Sequence, residues 1–349
     1  MNEQGSFVAT LLDRTGRALA SGAVQRLALG PLADEVRTLG RRALVADTVV
    51  RLEHLAAALA TGRCEVLALD FDWLTATRAA RGIPPELLRA TFAALRTEIT
   101  ENLPRAAATL ALDMLDSELP RLATDAPLAE PLADEDHPHV ELARSLLAAS
   151  LSGRRNDAEM LLVDAYENGV PLDALHVALW AAQAEIGVLW QSGEIHVGLE
   201  HLASRIAEDA LAVLRHRTKP SAASNHSVLV ACVPGNRHQI GARIVADRFD
   251  HVGWRALFLG ANTPSDSLVN AAQDFHVDLV ALSVGMSLDL RPAAIMIAAL
   301  RADAPRVPVL VGGAPFRAVE GLWRDVGADG EAPSATEAAG MGERLLAAI

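Results

Sequence analysis

Residues 227 to 349 alternate short β-branched runs with stretches of helical hydrophobic spacing, and this alternation constrains the fold more than any other feature of the chain. The pattern predicts strands at about 227–233, 255–260, 279–284 and 308–313. It predicts helices near 239–250, 264–274, 290–302 and 335–348. Strands that alternate with helices in this way favour a parallel sheet with helices on its faces.

Chemically distinctive residues follow or close three of these strands. His238 follows the first strand, Ser283 closes the third, and the pair Gly312-Gly313 closes the fourth. In doubly wound sheets, ligands bind beyond the carboxyl ends of the strands, at the point where the strand order reverses. We therefore expect the three elements to converge on one crevice of a flavodoxin-like domain.

The same residues resemble the cobalamin-binding signature of methionine-synthase-like cobalamin domains, which reads Asp-x-His-x-x-Gly, then Ser-x-Leu, then Gly-Gly. Here Asn236–Gly241 forms the first part, and residues 242 to 282 (41 residues) separate it from the second. Residues 286 to 311 (26 residues) separate the second part from the third, so both intervals match the family. Two positions depart from the pattern: Asn236 replaces Asp, and Gly285 replaces Leu.

The resemblance implies that the dimethylbenzimidazole base of the cofactor leaves cobalt and that His238 replaces it as the lower axial ligand. Gly241 then lets the first helix approach the nucleotide tail, Ser283 can hydrogen-bond the displaced base, and Gly312-Gly313 leaves room for the tail. The predicted binding set also contains Asn236, Arg237 and Gly285. An isolated loop histidine is usually solvated, but the two downstream elements in register favour a ligand.

The departure at Asn236 bears on the strength of the cobalt ligand. A metal-bound imidazole usually gives its second N–H to a carboxylate or a carbonyl, which raises its basicity. Asn236 can accept that bond but adds no charge. We therefore expect a weaker bond between His238 and cobalt than an aspartate would support.

A second constellation lies upstream, where nine residues separate Trp190 from the pair Glu200-His201. It resembles the Trp-x9-Glu-His motif of cobalamin-dependent photoreceptors, in which a four-helix cap covers the upper face of the corrin. The resemblance places Trp190 against an adenosyl group, Glu200 on its ribose, and Val197 beside the corrin. Alone, a Trp in an apolar helical stripe is more often core packing.

Residues 138–216 have the length and spacing of such a cap. They predict helices near 138–151, 154–168, 171–192 and 197–216. One residue departs from the light-sensing repressors: Gln191 stands where they have a histidine that can take the upper axial position after photolysis. His196 or His201 can in principle substitute for it.

The N-terminal region, about 1–130, is predicted to be helical and to form a small bundle or a globin-like fold of four or five helices. Amphipathic spacing covers 34–61, 64–81, 85–101 and 104–118. Thr124 to His137 is predicted to be a linker, and Arg217 to His226 a second one.

A helical domain in front of a cap and a cobalamin domain resembles the photocobilins, in which such a domain holds biliverdin. The ring-sized candidates for stacking on a tetrapyrrole are Phe71, Trp73 and Phe92, with His54 and several arginines available for propionates. The alternative is that these residues fill a helical core or a dimer interface. Cys64 can tether a bilin by a thioether, although a lone cysteine is more often inert.

Composition limits the remaining choices. A net charge of −13 disfavours nucleic acid, because duplex binding needs Lys and Arg on phosphates, and no DNA-reading module is recognisable. Apolar runs are short of a membrane span, and the start Met1-Asn2-Glu3-Gln4 lacks the basic residues of a signal peptide. The two cysteines, Cys64 and Cys232, predict a reducing cytoplasm.

The sequence therefore predicts a light-sensing regulator that binds adenosylcobalamin base-off, with Co–C photolysis changing domain packing or oligomeric state. We predict no catalytic residues, a homo-oligomer, and a protein partner for output. The alternative is a corrinoid carrier for a methyltransferase system. A mutase subunit is disfavoured, because the chain lacks room for a substrate-binding barrel.

Overall fold

A computed structural model describes residues 2–78, 80–123, 139–219 and 224–348. The first predicted linker, 124–137, lies outside the described residues, as do residues 220–223 of the second. The chain divides into two compact units. The first comprises the described residues within Met1–Pro127, Met286–Ile295 and Ala314–Gly327, and the second comprises those within Leu128–Gly285, Met296–Gly313 and Ala328–Ile349.

The N-terminal part of the first unit is helical, as predicted. Its elements are α1 (Glu3–Ala28), α2 (Ala33–Leu39), α3 (Arg41–Thr61), α4 (Cys64–Thr77), α5 (Pro85–Asn102) and α6 (Arg105–Glu118), then a 3-10 turn at Leu119–Ala123. The long helix α1 packs along α3 and α5. Gly5 allows the closest approach, because a Cβ there would lie 1.8 Å from the carbonyl oxygen of Leu59.

Two details of this region differ from the prediction. The helix predicted at 34–61 is broken at Gly40, whose φ of 86° and ψ of 117° lie outside the helical region. Helix α1 was missed, although Val8, Leu12 and Leu19 recur on its buried face. The described residues therefore hold six α-helices here, not four or five, and the globin-like arrangement stays a prediction.

The second unit begins with the four-helix cap, which is confirmed. Its helices are α7 (Val140–Leu151), α8 (Arg155–Glu167), α9 (Leu172–Gln191) and α10 (Val197–Arg217). These bounds lie within two residues of the predicted ones. Leu146, Leu162 and Leu211 are buried in the core that the four helices share. Gly193, with a φ of 78°, makes the turn between α9 and α10.

Helix α9 is long and apolar enough to cross a membrane by length and composition alone, and no other helix among residues 2–78, 80–123, 139–219 and 224–348 is. Leu175, Leu179 and Ile186 of this helix are buried in the core of the cap. Burial in a helical core accounts for the apolar composition of α9.

The rest of the chain carries the predicted parallel sheet, which is confirmed as flavodoxin-like. The strands are β1 (Ser227–Cys232), β2 (Arg255–Gly260), β3 (Leu279–Ser283), β4 (Val309–Gly312) and β5 (Gly330–Glu331). Their order is β2-β1-β3-β4-β5, and every pair is parallel. The strand order therefore reverses between β1 and β3, at the switch point where such sheets bind ligands.

The helices that follow these strands confirm the predicted alternation. They are α11 (Ile240–His251), α12 (Ser265–Asp274), α13 (Leu290–Asp303), α14 (Ala314–Ala318), α15 (Leu322–Asp325) and α16 (Ala335–Ala347), with a 3-10 turn at Ser287–Asp289. Strand β5 and helices α14 and α15 were not predicted, because two to five residues are too few to show a period. Cys232 is buried in the core of the sheet.

Candidate cofactor site at the switch point of the sheet

Three strand ends lie side by side at the switch point. Cys232 at the end of β1 pairs with Ser283 at the end of β3, and Ser283 pairs with Gly312 at the end of β4. The segments that the sequence predicted to form one crevice therefore start from neighbouring strands.

Asn236 ties two of these segments together. Its side-chain oxygen accepts a hydrogen bond from the backbone N–H of His238 at 2.9 Å. Its side-chain nitrogen donates to the backbone oxygen of Ser283 at 3.0 Å. The residue is 1% exposed, so both bonds are sheltered from water. Asn236 thus fixes the turn after β1 to the end of β3, a role that an acceptor-only carboxylate cannot reproduce.

His238 is held by its backbone and presents its side chain. Its backbone N–H is bonded to Asn236, while the residue is exposed. Arg237 beside it is also exposed. An accessible imidazole on an anchored backbone is the arrangement that an axial ligand for a metal in a cofactor requires.

Gly285 lies against both of these residues. A Cβ at this position would lie 2.8 Å from Oδ1 of Asn236 and 3.1 Å from Nδ1 of His238. A leucine, which the resembling family carries here, therefore does not fit the observed arrangement. The departure at Gly285 lets the imidazole and the carboxamide approach the end of β3.

Gly312 and Gly313 meet backbone rather than open space. Gly313 has a φ of 129°, and a Cβ there would lie 1.8 Å from the carbonyl oxygen of Val284. A Cβ on Gly312 would lie 3.2 Å from the oxygen of Ala332. Gly313 therefore allows the chain after β4 to approach the end of β3, and Gly312 allows close approach of the chain after β5.

Gly241, at the start of α11, faces the cap. A Cβ on Gly241 would lie 3.4 Å from the ring of Trp180 in α9. Trp180 is 45% exposed, so part of its ring surface is open to solvent. Sequence reasoning missed Trp180, although Gln183, Gly187 and Trp190 follow it at helical spacing along one stripe of α9.

The upper constellation lies where α9 ends and α10 begins. Trp190 is half-buried near the end of α9, while Val197 and His201 are exposed at the start of α10. Glu200 lies in the first turn of α10, where a carboxylate also interacts favourably with the helix dipole. His196 is the N-cap of α10, because its Nδ1 accepts a hydrogen bond from the backbone N–H of Leu199 at 3.2 Å.

The hydroxyl of Ser204 links Glu200 to α9. Oε1 of Glu200 accepts a hydrogen bond from this hydroxyl at 2.9 Å, and the hydroxyl oxygen lies 3.4 Å from Oε1 of Gln183 in α9. Oε2 of Glu200 pairs with Nδ1 of His201. Nε2 of Gln183 is buried without a hydrogen-bond partner in the described parts of the chain. The carboxylate is thus oriented before any ligand binds.

Comparisons with known proteins agree with this geometry. Residues 226–340 and residues 142–215 each match a B12 binding domain family. Dimethylamine corrinoid protein 1 of Methanosarcina acetivorans is 30% identical over 215 residues, which are 59% of this chain and 98% of that protein. The chain belongs to the family of B12-binding corrinoid proteins.

Two further proteins show similar matches. The HTH-type transcriptional repressor CarH of Myxococcus xanthus is 33% identical over 187 residues, 53% of this chain and 62% of CarH. This chain therefore spans less than two thirds of the length of that relative. The structure of the Methanosarcina barkeri monomethylamine corrinoid protein aligns with a TM-score of 0.53 at 21% identity, over 60% of this chain and 100% of that one, which shows a shared fold.

The aromatic residues predicted to stack on a bilin fall into two groups. Phe71 and Phe92 stack on each other with ring centroids 4.9 Å apart, and they are 0% and 2% exposed. Their faces are used in the core of the helical region, so the stacking prediction is wrong for both and the core alternative holds. Trp73 is half-buried, and the guanidinium carbons of Arg51 and Arg81 lie 5.6 and 4.8 Å from its ring centroid.

The other two N-terminal candidates have partners of their own. His54 is buried and contacts Asp70 and Ser287. Cys64 is exposed, and its thiol donates to Oε2 of Glu65 at 3.7 Å. Desolvation and neighbouring carboxylates raise the pKa of the Cys64 thiol, which makes it a weaker nucleophile at neutral pH. The inert alternative is favoured for Cys64.

The double role of Asn236 leads to a prediction about folding. In Asn236→Asp the carboxylate still accepts from His238 but cannot donate to Ser283, and two oxygens then face each other in a buried position. We expect the free energy of unfolding to fall by about 1–3 kcal/mol, measured by urea denaturation. Asn262→Asp is the matched control, because Oδ1 of Asn262 accepts from the N–H of Gly235 at 2.7 Å. Equal losses of stability in the two variants would contradict the double role of Asn236.

Proposed function

We propose that this protein is a light-sensing regulator that binds adenosylcobalamin base-off, with His238 as the lower axial ligand of cobalt. The observation that carries the proposal is the exposed imidazole of His238, anchored by Asn236 at the switch point of the sheet. Ser283 and the small residues Gly285, Gly312 and Gly313 lie beside it. When bound, the cofactor supplies a cobalt–carbon bond that light breaks.

In this proposal residues 138–216 act as the cap and residues 227–349 as the cobalamin-binding domain. Trp190 contacts the adenosyl group, and Glu200, already oriented by Ser204, accepts from its ribose. Val197 and His201 border the same pocket. Loss of the adenosyl group removes the contact of Trp190, which shifts the packing of the cap and, through it, the oligomeric state.

The output in this proposal passes through a protein partner in the cytoplasm. A net charge of −13 opposes direct contact with DNA phosphates. The relative CarH is a transcriptional repressor by name, and it is 33% identical to this chain over 187 residues. We therefore expect a shared sensor with a different output.

A corrinoid carrier for a methyltransferase system is the second candidate, and the match to the dimethylamine corrinoid protein favours it. The two candidates differ in the upper ligand that they require. A methyl group is too small to need the Trp190 and Glu200 contacts, whereas an adenosyl group uses both.

The decisive experiment is the absorption spectrum of protein loaded with adenosylcobalamin in the dark, recorded before and after green light. We expect the absorption bands of cobalamin to change on illumination. We expect the change in Trp190→Ala to differ from the change in the unmutated protein. A sample kept in the dark serves as the control. Tighter binding of methylcobalamin than of adenosylcobalamin, with Trp190→Ala harmless, would establish the carrier instead.

We further propose that the helical region, about residues 1–130, holds biliverdin in a globin-like arrangement. The support is Trp73, which is half-buried, and the guanidinium of Arg81, which lies 4.8 Å from its ring centroid and suits a propionate of a bilin.

Trp73→Ala is expected to weaken biliverdin binding by about tenfold, since a stacked aromatic contributes on the order of 1 kcal/mol beyond its buried area. The measurement is a titration of the far-red band. Trp323→Ala is the matched control, because Trp323 also stacks on an arginine, with Arg324 4.2 Å from its ring centroid. Absence of a far-red band after addition of biliverdin would refute the bilin proposal and would not affect the cobalamin proposal.

A further inference from the structure

The 3-10 turn Ser287–Asp289 belongs to the first unit and begins two residues after Gly285. The turn packs on α3 and α4. Nδ1 of His54, in α3, lies 2.7 Å from the hydroxyl of Ser287. Both residues are buried, at 4% and 5% exposure, so water does not compete for this bond.

His54 is itself fixed from behind by a buried ion pair. Its Nε2 lies 3.3 Å from Oδ1 of Asp70, which also pairs with Arg51. Burial, together with the charge of Arg51, lowers the pKa of His54 to about 3, so the imidazole is neutral at physiological pH. A neutral imidazole that gives its Nε2 proton to Asp70 can only accept at Nδ1. Nδ1 of His54 thus accepts a hydrogen bond from the hydroxyl of Ser287.

Three further hydrogen bonds hold the same segment. The guanidinium of Arg291 donates to both carboxylate oxygens of Asp13, in α1, at 2.7 Å each. The carboxylate of Asp289 accepts from the backbone N–H of Met286 at 2.9 Å. The chain that leaves Gly285 is therefore restrained at Met286, Ser287 and Arg291.

We infer that His54 is a positioning residue for the cofactor site. Through Ser287 it fixes the end of the Ser283–Gly285 segment, which is bonded to Asn236 at its other end. The inference rests on the proposed function, in which this segment contacts the nucleotide tail. A segment held in its binding conformation costs less to order when the ligand binds. By reciprocity, cobalamin binding stabilises the contacts of α3 and α4 with the turn.

The test is the dissociation constant of adenosylcobalamin, measured in the dark on the full chain. Ser287→Ala removes one hydroxyl and is expected to weaken binding by about tenfold, within the usual range of coupling between sites. His54→Gln is expected to weaken binding by the same factor. The double variant is expected to bind no more weakly than either single variant, because both substitutions remove the same hydrogen bond between His54 and Ser287. Thr48→Val is the control: Thr48 is buried on the same helix, and its hydroxyl donates to the backbone oxygen of Leu44 within α3.

Hydrogen exchange on the unmutated protein gives a second readout that does not depend on any variant. Adenosylcobalamin is expected to slow exchange at Ser287–Asp289 and in α3. Unchanged affinity in Ser287→Ala, or an equal loss in Thr48→Val, would overturn the role of His54 while leaving cobalamin binding established. Failure of the unmutated chain to bind adenosylcobalamin would instead remove the proposed function itself.

Discussion

His238→Ala is expected to leave bound cobalamin without a protein ligand below cobalt and to abolish the light-dependent change that depends on it. The backbone of the turn is held by Asn236 rather than by the imidazole, so the fold is expected to survive. Loss of a residue that hydrogen-bonds a metal ligand lowers metal affinity by about 10–100-fold. Loss of the ligand itself should lower the affinity for cobalamin by at least as much. Absorption spectra and equilibrium binding measure both effects.

Two controls separate ligation from folding in this experiment. His216→Ala removes an exposed histidine at the end of α10 and should change neither spectrum nor affinity. Free imidazole added to His238→Ala should restore the ligated spectrum, because it supplies the missing donor. A bound spectrum that is identical in His238→Ala and the unmutated protein would refute the ligand assignment.

Gly313→Ala is expected to give the second large effect, on folding. The residue has a φ of 129°, and an added Cβ would lie 1.8 Å from the carbonyl oxygen of Val284. The backbone has little freedom to relax, because β3 and β4 pair up to Gly312. We expect the free energy of unfolding to fall by about 3 kcal/mol or more, and cobalamin binding to fall with it.

Gly312→Ala is the neighbouring control for this prediction. An added Cβ there would lie 3.2 Å from the oxygen of Ala332, a contact that a shift of a few tenths of an ångström relieves. Urea denaturation should therefore give Gly313→Ala a much lower free energy of unfolding than Gly312→Ala. Equal stability of the two variants would show that the approach of β3 and β4 does not depend on a glycine at 313.

Regular hydrophobic spacing is what made the cap and the sheet predictable. Helix α9 has buried apolar residues at helical spacing from Leu172 to Ile186. Strand β1 is buried along its whole length, so it stands out as a short apolar run rather than as an alternation. The break at Gly40 was hidden, because apolar spacing continues on both sides of it. Contacts between distant segments were hidden for a different reason: no local pattern marks them.

The roles of Asn236 and Phe71 show that limit. The amide of Asn236 was read as a weaker version of a carboxylate, but its nitrogen has a partner on β3, 47 positions away along the chain. The sequence alone leaves Phe71 available for stacking on a ligand, whereas in the fold Phe92 stacks against its ring. Trp180 was missed, because only the fold shows that it lies on Gly241.

His196 has a consequence for how a change at cobalt is transmitted. The imidazole currently caps α10, because its Nδ1 accepts from the backbone N–H of Leu199. Binding of either ring nitrogen to cobalt would remove this helix cap, which costs about 1 kcal/mol, because Nδ1 would then be ligated itself or would carry the ring proton. Glu200 lies in the turn that would fray. Exchange of the upper ligand would then be converted into partial unwinding of a helix, a mechanical signal that a partner can read.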